Sequence, residues 1–269
     1  MARESKLPKR LQPMLATLAD APFDDPTWAF ETKWDGFRMV ACIEGGKVTL
    51  YSRNGKIISD SYQPVAKALE KVKQDAVIDG ELVALDAQGI SRFQLLQNAL
   101  RAEATLLYCV FDLMFLAHED LRGLPLIERK ERLRRVLPKH PLLSFSEHLP
   151  EHGTKFFKQA QKTGLEGIMA KRADSLYRSG ARSTDWLKIK TARRQEVVSS
   201  GSPRRAGRAP VSVPWCSPFA KIRPGATSAM SAPASAAPLS KSFIAGYGRS
   251  ARSRLRSVSA SRTQQSPHG

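Results

Sequence analysis

The chain has 269 residues, 42% of them apolar and 25% charged, enough to bury a sizeable core without a disulfide or metal staple. No run of 18 apolar residues occurs, which excludes a transmembrane helix, and the basic N-terminus lacks the apolar stretch and cleavage site of a signal peptide. A net charge of +18 points to a polyanionic partner, nucleic acid first, and three widely spaced cysteines, Cys42, Cys109 and Cys216, fit a reducing cytoplasm rather than a disulfide framework or a zinc site.

Residues 1–26 read as an arm with turns at Pro8, Pro13, Pro22 and Pro26. Strand patterns follow at Trp28 to Lys33 and Phe37 to Ile43. A Gly45-Gly46 turn then leads into Val48 to Tyr51, which reads as a hairpin. Val65, Ala66, Leu69 and Val72 recur at helical spacing within 61–73. Ala76 to Leu85 reads as a strand and Ser91 to Leu100 as a short helix with Ser91 at its N-cap. Leu106 to Leu116 is nearly all apolar, the pattern of a strand buried on both faces. Residues 126–137 form a charged amphipathic helix, Leu142 to Phe145 a strand, and 151–163 a helix ended at Gly164. Gly167 to Lys171 and Trp186 to Lys190 complete the set. Mixed elements with hairpins predict an α+β domain with largely antiparallel sheets.

From Ser199 the periodicity stops. Residues 199–269 hold 11 Lys and Arg and no acid, and 45 of the 71 are Ser, Ala, Pro or Arg. That composition predicts a disordered basic tail.

Five segments each combine a glycine or a strand end with charged residues: Lys33-Trp-Asp35-Gly36-Phe-Arg38, Ser52-Arg53-Asn54-Gly55, Asp79-Gly80-Glu81, Glu166-Gly167-Ile-Met-Ala-Lys171-Arg172 and Trp186-Leu-Lys188-Ile-Lys190. Each alone reads as a turn or a solvated strand face. Together, in this order and with Tyr108-Cys-Val-Phe111-Asp112-Leu113 between them, they resemble the nucleotidyltransferase motifs of ATP-dependent DNA ligases. Gln12-Pro-Met-Leu-Ala16, Trp28 to Arg38 and Tyr177 to Lys190 make the set most similar to the ligase domain of bacterial end-joining ligase D, over roughly residues 11–198. Phe37 and Met169 depart from the residues usual there, without removing a charge.

The resemblance implies an ATP-grasp-like nucleotidyltransferase domain over 1–198, ATP and a divalent ion (Mg or Mn) as cofactors, and nicked or broken duplex DNA as partner. It also implies a monomer in a bacterial cytoplasm, near the nucleoid, working with other end-joining proteins. Lys33 is the expected nucleophile, since an amine can store AMP as a phosphoramidate. Lys171, Lys188, Lys190, Arg38 and Arg53 are expected to neutralise the triphosphate. Asp35 and Glu166 offer hard oxygen to a metal. By resemblance Phe111 stacks on adenine, Glu81 reaches the ribose, and Glu31 and Thr32 meet the adenine edge through backbone groups. The alternatives are an RNA ligase or capping-type nucleotidyltransferase, or a catalytically defective nucleotide- or DNA-binding fragment.

His118, His140, His148 and His152 lack metal-ligand spacing and read as surface histidines, Trp28 and Trp34 as core or platform. The basic residues of helix 126–137, Arg129, Lys130, Arg132, Arg134 and Arg135, read first as a solvated face and second as a phosphate contact. Ligases of this kind continue into an OB-fold, and here the strand pattern ends instead. Gly225 to Ser235 can be back-translated so that dropping two bases yields RYVGHVGTGF, which looks like a ligase D OB-fold segment. A single-base shift near codons 198–199 is the expected origin of the 199–269 tail, with impaired sealing as its consequence; the alternative is a genuine basic arm. No polymerase or phosphoesterase pattern precedes the match, so a larger end-joining assembly would need separate chains.

Overall fold

A computed structural model of the chain describes residues 7–8, 12–98 and 105–191. The predicted tail, 199–269, lies outside the described residues, as does the end of the second predicted helix.

Two sheets form the domain. The first has five strands in the order β1 (Leu15–Leu18), β11 (Arg182–Lys190), β10 (Gly167–Arg172), β2 (Asp25–Thr32) and β9 (His148–Glu151). The second runs β4 (Lys47–Ser52), β3 (Phe37–Glu44), β5 (Ala76–Leu85), β6 (Thr105–Leu116), β7 (Glu119–Asp120), with β8 (Leu143–Phe145) also paired to β6. The helices are α1 (Gln63–Leu69), α2 (Phe93–Asn98), α3 (Leu126–Val136) and α4 (Gly153–Lys162). Pairing is antiparallel except for β1 with β11 and β6 with β8, so the α+β, largely antiparallel expectation holds.

The period of two along a strand sorts side chains into layers. On β3, Met39, Ala41 and Ile43 join the core beneath α1 and α2, while Val40 and Cys42 join a second core with Phe111, Tyr177 and Trp186. On β10 and β11, Ile168, Ala170 and Ile189 pack under Phe156 and Ala160 of α4. Each sheet is therefore covered on both faces. The chain stacks as helix, sheet, shared interior, sheet and helices. Gly45 and Gly46 both have positive φ, 55° and 78°, as a tight hairpin turn between β3 and β4 requires.

Some expectations are corrected. The arm contains a strand, β1, held through Leu15 N–H to Ala181 O. Strand β7 has two residues, too few to show a period, and Pro150 interrupts the pattern of β9. Arg129 and Lys130 of α3 are fully buried rather than solvated. Arg129 donates to both oxygens of Asp112 at 2.7 and 2.8 Å, and its Nη1 donates to the Ser175 carbonyl at 2.8 Å. Arg132 pairs with Glu119 and Glu128, and Arg134 with Glu147. No helix among the described residues is long and apolar enough to cross a membrane.

Candidate active site

The site follows from strand register. Lys33 continues β2 by donating its N–H to Gly167 O at 3.1 Å, and Gly167 stands opposite Lys190 across β10 and β11. Lys33, Glu166 and Lys190 thus converge on one strand end. A Cβ on Gly167 would lie 2.1 Å from Ile189 O, so only glycine permits this approach. Lys33 Nζ is in direct contact with Glu166 Oε2, and Lys190 Nζ lies 3.9 Å from Oε1. After Lys33 the chain turns. A Cβ on Gly36 would stand 2.1 Å from Leu82 O, which fixes glycine at the point where β3 begins.

Between the sheets lies a cavity of about 220 Å³. Of the predicted site residues, Glu31, Thr32, Lys33, Arg38, Arg53, Glu81, Phe111, Lys171, Lys188 and Lys190 line it. Glu166 adjoins it through Lys33. Asp35 does not line it. The Asp35 carboxylate accepts from the Phe93 N–H at 3.1 Å, and its own N–H donates to Ser91 Oγ at 3.1 Å. The expected N-cap role of Ser91 therefore falls to Asp35. Trp34, read as core or platform, is buried, donates from Nε1 to Ser146 Oγ at 3.1 Å and lines the cavity.

The lining also includes Leu15, Ala16, Met169, Arg182 and Trp186, to which the sequence reading gave no role. Arg182, Trp186, Lys188 and Lys190 stand at even spacing on β11, so the alternation that exposes the lysines to the cavity presents the other two as well.

Seven cations against two carboxylates line the cavity, the balance a polyphosphate needs. Burial lowers the Lys188 ammonium, and Lys190, Lys33, Arg182 and Arg53 push it the same way. Burial raises the Glu81 carboxyl to about 7, against the pull of Arg38 and Lys33. Arg38 carries a partner of its own: it donates from Nε and Nη2 to Asp79 at 2.6 Å each, and Tyr177 Oη donates to the same carboxylate at 2.6 Å. Its guanidinium carbon stands 4.6 Å from the Phe111 ring centre, and Lys171 Nζ 4.2 Å from it. Glu31 is buried and accepts from Lys130 at 2.8 Å and Lys171 at 2.9 Å. Burial raises its carboxyl, but the two lysines outweigh that and hold it below the ordinary range. Each of its two oxygens is thus paired with a lysine. Among the described residues no group of three or more His, Cys, Asp or Glu side chains is placed to hold a metal ion, and Glu166 is the carboxylate in direct contact with Lys33.

A family model described as ATP dependent DNA ligase domain matches residues 13–190, which span every site residue named above. The chain belongs to the ATP-dependent DNA ligase family. The multifunctional non-homologous end joining protein LigD of Pseudomonas aeruginosa is 41% identical over 204 residues, 74% of this chain and 24% of that protein. The LigD of Mycobacterium tuberculosis is 38% identical over 194 residues, 71% of this chain and 25% of that protein. A solved structure, mycobacterial DNA ligase D complexed with ATP and MES, superposes with a TM-score of 0.60 at 34% identity, covering 67% of this chain and 60% of that one. The fold is that of the LigD ligase domain, and the chain spans about a quarter of the length of the LigD relatives it matches.

Proposed function

We propose that the chain is an ATP-dependent DNA ligase that adenylates itself on Lys33, passes AMP to a DNA 5′-phosphate and seals the strand with the adjacent 3′-hydroxyl. The observation that carries this reading is Lys33 on the wall of a cavity whose other charged residues are chiefly cations, in direct contact with the carboxylate of Glu166.

In the first step Lys33 Nζ bonds to the α-phosphorus of ATP, the bond from that phosphorus to the bridging oxygen breaks, and pyrophosphate leaves with the electron pair. The ammonium must first lose a proton, and Glu166 Oε2, in contact with it, is the acceptor we assign. Lys188, Lys190, Arg53 and Arg182 take the charge of the phosphates, and Lys171 the charge nearest Phe111. Arg38, already paired with Asp79, steadies the Phe111 ring more than it neutralises phosphate. Phe111 supplies the purine wall, backbone groups at Glu31 and Thr32 its edge, and Glu81 the ribose contact. The residues fit a divalent ion, Mg or Mn: Glu166 would hold it, and the bound ion would neutralise charge on the triphosphate. Asp35 is engaged at the start of α2, so Glu166 carries that assignment alone.

We further propose that 1–198 acts as the adenylation domain, that 199–269 stands in place of an OB-fold, and that sealing is weaker than self-adenylation for want of a clamp. A monomer acting on duplex DNA in a bacterial cytoplasm, beside other end-joining proteins, completes the reading. Incubation with ATP labelled at the α-phosphate and a divalent ion should label the chain covalently, and Lys33→Ala should abolish the label. Equal labelling of both contradicts the assignment.

A further inference from the structure

Lys130 belongs to none of the six segments that carry the family resemblance, yet it is 1% exposed and sits at the junction of three elements. Its Nζ donates to Glu31 Oε1 on β2 at 2.8 Å and to Ser146 O beyond β8 at 2.9 Å, and lies 3.4 Å from Phe111 O on β6. These partners match its three ammonium hydrogens. Lys171 Nζ takes the other Glu31 oxygen at 2.9 Å and stands 4.3 Å from the Trp186 ring centre. Two ammoniums therefore share one carboxylate behind the cavity wall. Desolvating such a cluster is costly, and a methionine would fill the volume of Lys130 without that cost.

We propose that Lys130 is a positioning residue for the nucleotide: through Glu31 and the Phe111 carbonyl it fixes two cavity walls, β2 and β6, against each other and holds Lys171 between them. The inference rests on the reading of the cavity as the ATP site. Lys171 is faced by Glu31 from β2, Lys130 from α3 and Asp112 from β6, while Arg38 from β3 shares the Phe111 ring. Burial lowers its ammonium to about 8, with Lys130 adding to that and Glu31 and Asp112 opposing it. A neutral side chain at 130 removes one opposing cation, so Lys171 keeps its charge to higher pH.

The test is ATP binding by the Lys33→Ala chain, which cannot form the covalent adduct, from about pH 7 to about pH 10, the range in which lysines titrate. Affinity should decline above about pH 8, where Lys171 discharges. Adding Lys130→Met should weaken binding roughly tenfold at neutral pH and move the decline upward by at least half a unit or so, while Lys130→Arg keeps the parent profile. If Lys130→Met melts too low to assay, Lys130→Gln, which keeps a donor and loses the charge, gives the same contrast. Unchanged affinity and an unmoved decline overturn the inference. So does weaker binding at every pH with the decline in place, the mark of a purely structural lysine. If the parent chain and Lys33→Ala both fail to bind ATP, the reading of the cavity falls, and this inference with it.

Discussion

Arg38 and Asp79 are locked side by side on neighbouring strands, with Arg38 Nε and Nη2 each 2.6 Å from a different oxygen of a fully buried carboxylate. Tyr177 donates to the same carboxylate and accepts from the Met14 N–H at 3.0 Å, so one acid ties the arm, β3 and β5 together. Asp79→Asn should therefore destabilise the domain by about 2–4 kcal/mol, discounted because Arg38 is partly exposed. That corresponds to a fall in Tm on the order of 10 °C, readable by calorimetry. A shift within a degree or two would mean the network is not a structural tie.

Phe111 bears on ATP affinity. Phe111→Leu keeps most of the buried volume and removes the aromatic face, so ATP should bind roughly 0.5–1.5 kcal/mol more weakly, a few-fold to about tenfold in Kd. Titration of the Lys33→Ala background isolates that term. Unchanged affinity would assign Phe111 to the core alone.

Glu166→Gln preserves shape and removes the anion that touches Lys33. Adenylation should fall by at least about tenfold, the scale of a lost general base or metal ligand, and added Mg or Mn should recover it only in part. Full activity at low metal would move both assignments away from Glu166.

The pH dependence of stability has a definite sign at Glu81. Its folded-state value, about 7, exceeds the ordinary 4.5, so the native state binds the extra proton between those values. Stability from this group is present below about 4.5 and declines as pH rises toward 7. Glu81→Gln should flatten that decline in denaturant titrations across the window. Parallel curves for the two proteins would show that Glu81 titrates normally.

The long elements were legible because pattern alone specifies them: the apolar run of β6 and the alternation of β5 predicted both strands to within a residue. Strand β1 was not, because its pairing depends on Ala181 and β11, some 165 residues away. Helix α3 shows the same limit for side chains. Its amphipathic pattern was read correctly, but Arg129 and Lys130 are buried by Asp112 and Glu31 on other elements, and no local period announces such partners. Within the site, the motif residues came together as expected except Asp35, whose carboxylate serves the backbone of α2.

On the proposed reading, the tail bears on sealing rather than on the first step. A chain ending at Val198 should self-adenylate as the full chain does, and both should seal nicks poorly. If, as we propose, 199–269 arose from a frame shift, restoring the frame beyond codon 198 should raise sealing sharply. Efficient sealing by the present chain, lost on removing 199–269, would make the tail a true DNA-binding element.

The most direct test is to map the adduct. After incubation with ATP and Mg or Mn, peptide mass spectrometry should find AMP on Lys33 and on no other lysine, with pyrophosphate released in equal amount. AMP on Lys171, Lys188 or Lys190 instead, or ATP bound with no covalent adduct, would contradict the account.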